Sequence, residues 1–166
     1  MSSTSLNTSV DWSGLIEKNE GRIDVVAILA TPDNRYLMQK RDNIPGIFFP
    51  DHWGGFGGGV EPGETVHQAI TRELEEELEF TPRNAKPFTE LAMPMDALAV
   101  PFMVKVFFEI AITEQDISQM VQREGAGKKL FMIDDLLKET KIVPWDIWGM
   151  MLHSRKGQVL KREMAP

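Results

Sequence analysis

The stretch Thr65–Leu78 (TVHQAITRELEEEL) reads as a helix, and it places acids where such a helix should be apolar. At ~100° per residue, with Val66 at zero, Ile70 falls at ~40°, Leu74 at ~80° and Ala69 at ~300°. These positions define one apolar stripe. Glu75 at ~180° and Glu79 at ~220° face solvent. Glu77 at ~20° and Glu73 at ~340° fall inside the stripe, and Glu76 at ~280° lies at its edge. Glu73 and Glu77 stand four residues apart, so their side chains meet. Two partly desolvated anions at that spacing repel each other and lose hydration. A fold that buries this stripe must bring them a cation, a base or a proton.

Composition narrows that choice. The 166 residues contain no cysteine and only three histidines, which makes carboxylate and carbonyl oxygens the natural ligands. A hard divalent ion suits such donors, Mg²⁺ foremost. The formal charge is −7, and residues 61–79 alone hold seven acids against one base. The acidity therefore belongs to one segment. An acidic balance argues against binding long nucleic acids through their backbone. Apolar content of 42% with 26% charged residues is ordinary for a globular chain of one domain. No run approaches ~20 apolar residues, so no membrane span is expected. MSSTSLNTSVDW lacks the basic start and apolar run of a signal peptide, and a cytoplasmic protein is expected. Residues 1–12 are expected to be flexible, with a single domain over 13–166.

The apolar run Ile23–Ala30 predicts a buried strand, Pro32-Asp33-Asn34 a turn, and Arg35–Lys40 a second strand of a hairpin. Val100–Ile110 is the strongest later strand candidate, and Lys129–Ile133 a shorter one. Helices are expected over 114–122 and over Pro144–His153, the latter with proline in its first turn. Residues 42–52 and 93–99 read as loops. The interleaving without a βαβ period predicts an α+β fold with helices packed on a mixed sheet.

Gly57-Gly58-Gly59 precedes the acidic helix, and glycines there let backbone approach a ligand closely. Together, Gly58, Glu64, Arg72-Glu73-Leu74, Glu76-Glu77 and Phe80 resemble the Nudix box: Gly, five residues, Glu, seven residues, Arg-Glu-apolar, any residue, Glu-Glu, any residue, Gly, apolar. The six fixed polar or glycine positions that match have a chance of roughly one in ten million per starting position. Glu79 stands where the box has glycine, at a helix exit where a left-handed cap favours glycine. Keeping that conformation costs on the order of 1 kcal/mol.

The resemblance implies an α/β/α sandwich around a mixed β-sheet and a Mg²⁺- or Mn²⁺-dependent pyrophosphohydrolase acting on a small nucleotide-type substrate. It implies Glu73, Glu76, Glu77 and the Gly58 carbonyl as metal ligands. It gives Arg72 the task of orienting a box glutamate, and Glu64 that of tying the loop to the helix start. A general base outside the box is implied on a loop after the long strand. Glu124 is the candidate, against the reading of a plain loop charge, and Glu76 is the other. Arg41 resembles a family arginine that contacts substrate phosphate; a merely exposed base is the competing reading. His52 and His67 read as structural or exposed, Trp53 as core, and Trp145 and Trp148 as packing residues. A nucleoside triphosphate and a nucleotide sugar compete as substrate. The intact Glu76-Glu77 argues against the GDP-mannose branch, and the lack of cysteine against the isopentenyl diphosphate isomerases. A non-catalytic Nudix-like module is the alternative of a different class. A homodimer is common in the family.

Overall fold

The computed structural model describes residues 11–18, 20–95 and 100–163. In chain order the elements are α1 (Ser13–Lys18), β1 (Arg22–Ala30), β2 (Arg35–Lys40), β3 (Trp53–Gly54), α2 (Val66–Leu78), β4 (Ala85–Met95), β5 (Val100–Ala111), α3 (Glu114–Gln119), β6 (Gly127–Met132), α4 (Ile133–Leu136) and α5 (Pro144–Glu163). Six strands form one mixed sheet in the order β3-β2-β1-β5-β4, with β6 also paired to β2. Strands β1 and β5 run parallel, from Arg22 beside Met103 to Ala30 beside Ala111. The other ladders are antiparallel, including the β1–β2 hairpin.

Strand β1 has no polar face because the sheet is covered on both sides. Val25, Ala27 and Leu29 pack with Ile70, Leu74 and Leu78 of α2. Val26, Ile28 and Ala30 pack with Ile147 and Met150 of α5. The result is an α/β/α sandwich on an α+β chain. Each fully buried Ile or Leu contributes about 1.5–3 kcal/mol, so α2 is fixed by its stripe and not by its glutamates. A reciprocal cap starts the helix: the Gln68 N–H donates to Thr65 Oγ1, and the Thr65 N–H donates to Gln68 Oε1. Glu79 ends it in the left-handed conformation, φ 50° and ψ 37°, so the glycine-type exit persists without glycine. The Glu79 and Phe80 N–H groups donate to Glu75 and Leu74 carbonyls, and Arg123 pairs with the Glu79 carboxylate.

Several boundaries differ from the sequence reading. Strand β4 is absent from that reading, and it carries Pro87 and Pro94, which a strand interior disfavours. It lies at the sheet edge, and both prolines fall at irregularities in its pairing with β5. Residues 93–95 thus belong to β4 and are not loop, while 96–99 lie outside the described residues. The helix expected over 114–122 stops at Gln119, and Ile133 opens α4 instead of closing β6. Helix α5 continues ten residues past His153, to Glu163. Of the segment expected to be flexible, residues 1–10 lie outside the described residues; Trp12 packs on the α2-side core and its Nε1 donates to Glu90 at 2.6 Å. Among the described residues, no helix is long and apolar enough to cross a membrane.

Candidate active site

The glycine loop lies directly on β1. The Val25 N–H donates to the Gly58 carbonyl and the Ala27 N–H to the Phe56 carbonyl, each at 2.8 Å. Two glycines are required by this closeness. Gly57 has φ +129°, and a Cβ there would sit 2.2 Å from the Val25 carbonyl oxygen. At Gly58 the backbone is unstrained, but a Cβ would stand 2.5 Å from Glu73 Oε1. The missing side chain is the space that the Glu73 carboxylate occupies.

Glu77 is only 5% exposed. The Gly57 N–H donates to its Oε2 at 2.8 Å and Gln39 Nε2 to its Oε1 at 3.0 Å. These two neutral donors do not offset its burial. Desolvation, with smaller repulsion from Glu73 and Glu124, pushes its carboxyl up to about 8. Burial also raises Glu73, against the attraction of Arg72. Glu76 differs: its side chain is 56% exposed, against 14% for Glu73.

Arg72 binds this cluster together. Its Nε and Nη2 take both oxygens of Glu64 at 3.0 Å, and Nη2 donates to the Gly59 carbonyl at 2.9 Å. Its Nη1 donates to Glu73 at 2.8 Å and to Glu76 at 3.1 Å. The bidentate pair with Arg72 holds Glu64 below the usual carboxylate range. Glu64 also accepts from the Glu61 N–H at 3.0 Å, which joins the turn before α2 to the helix.

The remaining sequence candidates fall around this centre. Glu124 is exposed, in a segment whose Val121 and Arg123 N–H groups donate to the Leu78 and Glu77 carbonyls. Its charge raises both Glu73 and Glu77, which places it near the cluster. Arg41 lines a cavity beside the glycine loop and donates from Nε to the Phe48 carbonyl at 2.9 Å. Trp53 packs partly buried against the α5-side core. Trp145 is buried, whereas Trp148 is 52% exposed and does not pack as expected. His52 and His67 make edge contacts with Phe49 and Phe108. Gln39 and Asp146, whose Oδ2 accepts from the Gly55 N–H at 2.9 Å, are site residues that the sequence reading passed over. Both are buried polar residues within otherwise apolar runs, and that contrast was the available signal.

The donors here are all oxygen, and they fit a hard divalent cation. Glu77 is buried with only neutral donors on its carboxyl, the Glu73 carboxylate fills the space over Gly58, and the Gly58 carbonyl keeps a second lone pair. Among the described residues, no three acidic or histidine side chains are already gathered as a metal cage. Arg72 instead spans Glu73 and Glu76, and the Glu76 side chain is 56% exposed.

The family model for the NUDIX domain matches residues 21–147. Nucleoside triphosphatase NudI of Escherichia coli is 44% identical over 54 residues, which are 32% of this chain and 38% of that protein. A MutT protein from Methanosarcina mazei shares the fold with a TM-score of 0.69 at 14% identity, over 82% of this chain and 94% of its own. The Escherichia coli dihydroneopterin triphosphate pyrophosphohydrolase shares it with a TM-score of 0.62 at 20% identity, over 78% and 94%.

Proposed function

The chain belongs to the Nudix family, and on that premise we propose that it hydrolyses the phosphoric anhydride of a nucleoside diphosphate linked to another group, a nucleoside triphosphate first among these. The observation that carries this reading is the Glu73–Glu77 pair sunk against Gly57 and Gly58, with Arg72 on Glu73 and only neutral donors on the buried Glu77. The aligned segment of NudI, a nucleoside triphosphatase, supports the triphosphate over the nucleotide sugar.

Glu73, Glu76, Glu77 and the Gly58 carbonyl would hold Mg²⁺, or Mn²⁺ in its place. Such an ion, when bound, neutralises diphosphate charge and acidifies water. Arg72 is a positioning residue: it fixes Glu73 and Glu76 against the loop through Glu64 and Gly59. Glu124 accepts the proton of the attacking water as oxygen bonds to phosphorus. The anhydride P–O bond breaks and its electron pair leaves with the departing phosphate. Arg41 contacts substrate phosphate from the loop side, where its guanidinium lines the neighbouring cavity.

The test is a panel of nucleoside triphosphates and nucleotide sugars, assayed with Mg²⁺, with Mn²⁺ and with EDTA, and with product identification. Turnover of a triphosphate that EDTA abolishes is expected. Glu124→Gln should lower kcat by about 10²–10⁴-fold with KM little changed. Tight nucleotide binding without turnover of any substrate would overturn the reading in favour of a non-catalytic module.

A further inference from the structure

The segment between α3 and β6 carries Glu124 and is tied at both ends. On the helix side, the Val121 N–H donates to the Leu78 carbonyl at 3.0 Å and the Arg123 N–H to the Glu77 carbonyl at 2.8 Å. On the sheet side, the Ala126 N–H donates to the Lys40 carbonyl at 2.8 Å and the Gly125 N–H to Asp42 Oδ2 at 3.3 Å. Gly125 has φ +81°, and a Cβ there would stand 2.7 Å from the Lys40 carbonyl oxygen, so the chain passes closely over the end of β2. Gln122 Nε2 braces the segment from within, donating to the Glu124 and Gly127 carbonyls at 2.8 and 3.0 Å. Residues 121–126 thus bridge α2 and β2, the elements that supply Glu77 and its partner Gln39.

One contact of this bridge comes from a side chain outside the ligand set. Arg123 Nε donates to Glu79 Oε1 at 2.6 Å, and Nη2 donates to the same oxygen. Glu79 stands where the box has glycine and holds the left-handed conformation at φ 50°, which strains a residue with a side chain. The pair is exposed, 59% at Arg123 and 43% at Glu79, and exposed pairs contribute little to stability. Stability therefore does not account for a glutamate at this position. What the carboxylate does is clamp the side chain of Arg123, whose own N–H is already fixed to the Glu77 carbonyl. Glu124 follows directly, its Cα ~3.8 Å from that of Arg123. Burial dominates the raised Glu73 and Glu77 carboxyls and the Glu124 charge adds to both, so Glu124 stands within electrostatic reach of the cluster.

We propose that Glu79 and Arg123 are positioning residues: their ion pair holds the 121–126 bridge on the exit of α2 and so keeps Glu124 beside the carboxylate cluster. This deepens the hydrolase reading and rests on it for the role of Glu124. Without the pair the backbone bonds of the bridge remain, but it loses a side-chain tie to α2 and Glu124 samples a wider range of positions. Neither residue is placed against substrate, so the loss falls on kcat and leaves KM in place.

The test is steady-state kinetics of Glu79→Gly, Arg123→Ala and Glu124→Gln, and of Glu124→Gln combined with each of the other two, with the common nucleoside triphosphates as substrates and Mg²⁺ present. Glu79→Gly and Arg123→Ala should each lower kcat by about threefold to tenfold with KM little changed, while the Tm of Glu79→Gly holds or rises. In the Glu124→Gln background each should cost less than about twofold more, because the group they position is gone. Hydrogen exchange gives a readout apart from turnover: the Arg123 N–H should exchange about twofold to fivefold faster in Glu79→Gly than in wild type. A fall in kcat for Glu124→Gln but not for either pair variant would overturn this proposal alone, and so would an undiminished loss in the Glu124→Gln background. Wild-type kcat in Glu124→Gln would overturn Glu124 as the base and this proposal with it. Absence of turnover by wild type would sink the hydrolase reading, and an unchanged exchange rate at Arg123 would then remove the clamp as well.

Discussion

Replacing Gly58 by alanine isolates the geometry of the carboxylate pair from the stability of the fold. The added Cβ would lie 2.5 Å from Glu73 Oε1, 2.7 Å from its Cδ and 2.8 Å from Oε2, where ordinary contact begins at 3.4 Å. The carboxylate must retreat by about 0.9 Å, a displacement of the kind that can cost about 10²-fold in rate. That corresponds to about 2.7 kcal/mol in the transition state. The three nearest atoms that the Cβ meets belong to one flexible side chain, the one Arg72 holds at 2.8 Å, and Gly58 has no positive φ. Loss of glycine entropy in the unfolded chain adds about 0.4–1 kcal/mol of stability. Gly58→Ala should therefore lose about 100-fold in kcat/KM while its Tm holds or rises slightly. Gly59→Ala is the control, because its nearest contact is Asp24 Oδ1 at 3.9 Å. Steady-state kinetics at saturating Mg²⁺ and a thermal melt decide the matter. A folded Gly58→Ala enzyme with wild-type kcat/KM would refute the claim that Glu73 works from the space over Gly58.

Two further outcomes follow from Glu77 and Glu79. Glu77 ionises near 8 in the fold against an ordinary 4.5, so between these values the unfolded chain has released a proton that the native chain keeps. Its contribution is full below pH 4.5 and is lost as pH rises through 8, at most about 1.4 kcal/mol per pH unit. In EDTA, wild type should lose stability from about pH 6 to 8 relative to Glu77→Gln, measured by urea unfolding, and added Mg²⁺ should raise the wild-type Tm more at about pH 8 than at about pH 5; parallel pH profiles would contradict the assignment. Glu79→Gly should stabilise by up to about 1 kcal/mol in the same assay, because glycine holds the left-handed exit without strain and the exposed Arg123 pair is worth little; a loss of stability would show that the pair outweighs the strain.

The helix, the hairpin strands and the carboxylate cluster were legible in the sequence because each is specified locally. The stripe of Val66, Ile70 and Leu74 gives the period, and Glu73 and Glu77 violate it at places that call for a cation, a base or a proton. The Gly58–Phe80 spacing points to the same residues that Arg72 gathers. Strand β4 was not legible, because Pro87 and Pro94 are tolerated only by virtue of an edge position and irregular pairing, both of which are tertiary facts. The cavity beside the glycine loop was hidden for a related reason. Asp24 and Lys105, which line it, meet only through the register of β1 against β5, and Asp146 reaches the same cavity from α5, so none of the three is marked by its local sequence.

The contacts of Arg72 and Glu77 also differ in reach, and this bears on the order in which the chain assembles. The carboxylate partners of Arg72 lie one, four and eight residues away. Those of Glu77 lie 20 and 38 residues away. Short loops close at little entropic cost, so the arginine cluster can form as soon as α2 and its preceding turn do. The Glu77 environment exists only after the hairpin has docked against the helix. A partly folded chain consequently carries an ordinary, hydrated carboxylate at that position and offers no special hold for a divalent ion. An ion held at Glu77 would then favour the native state alone, act late, and report on completed docking of helix to sheet.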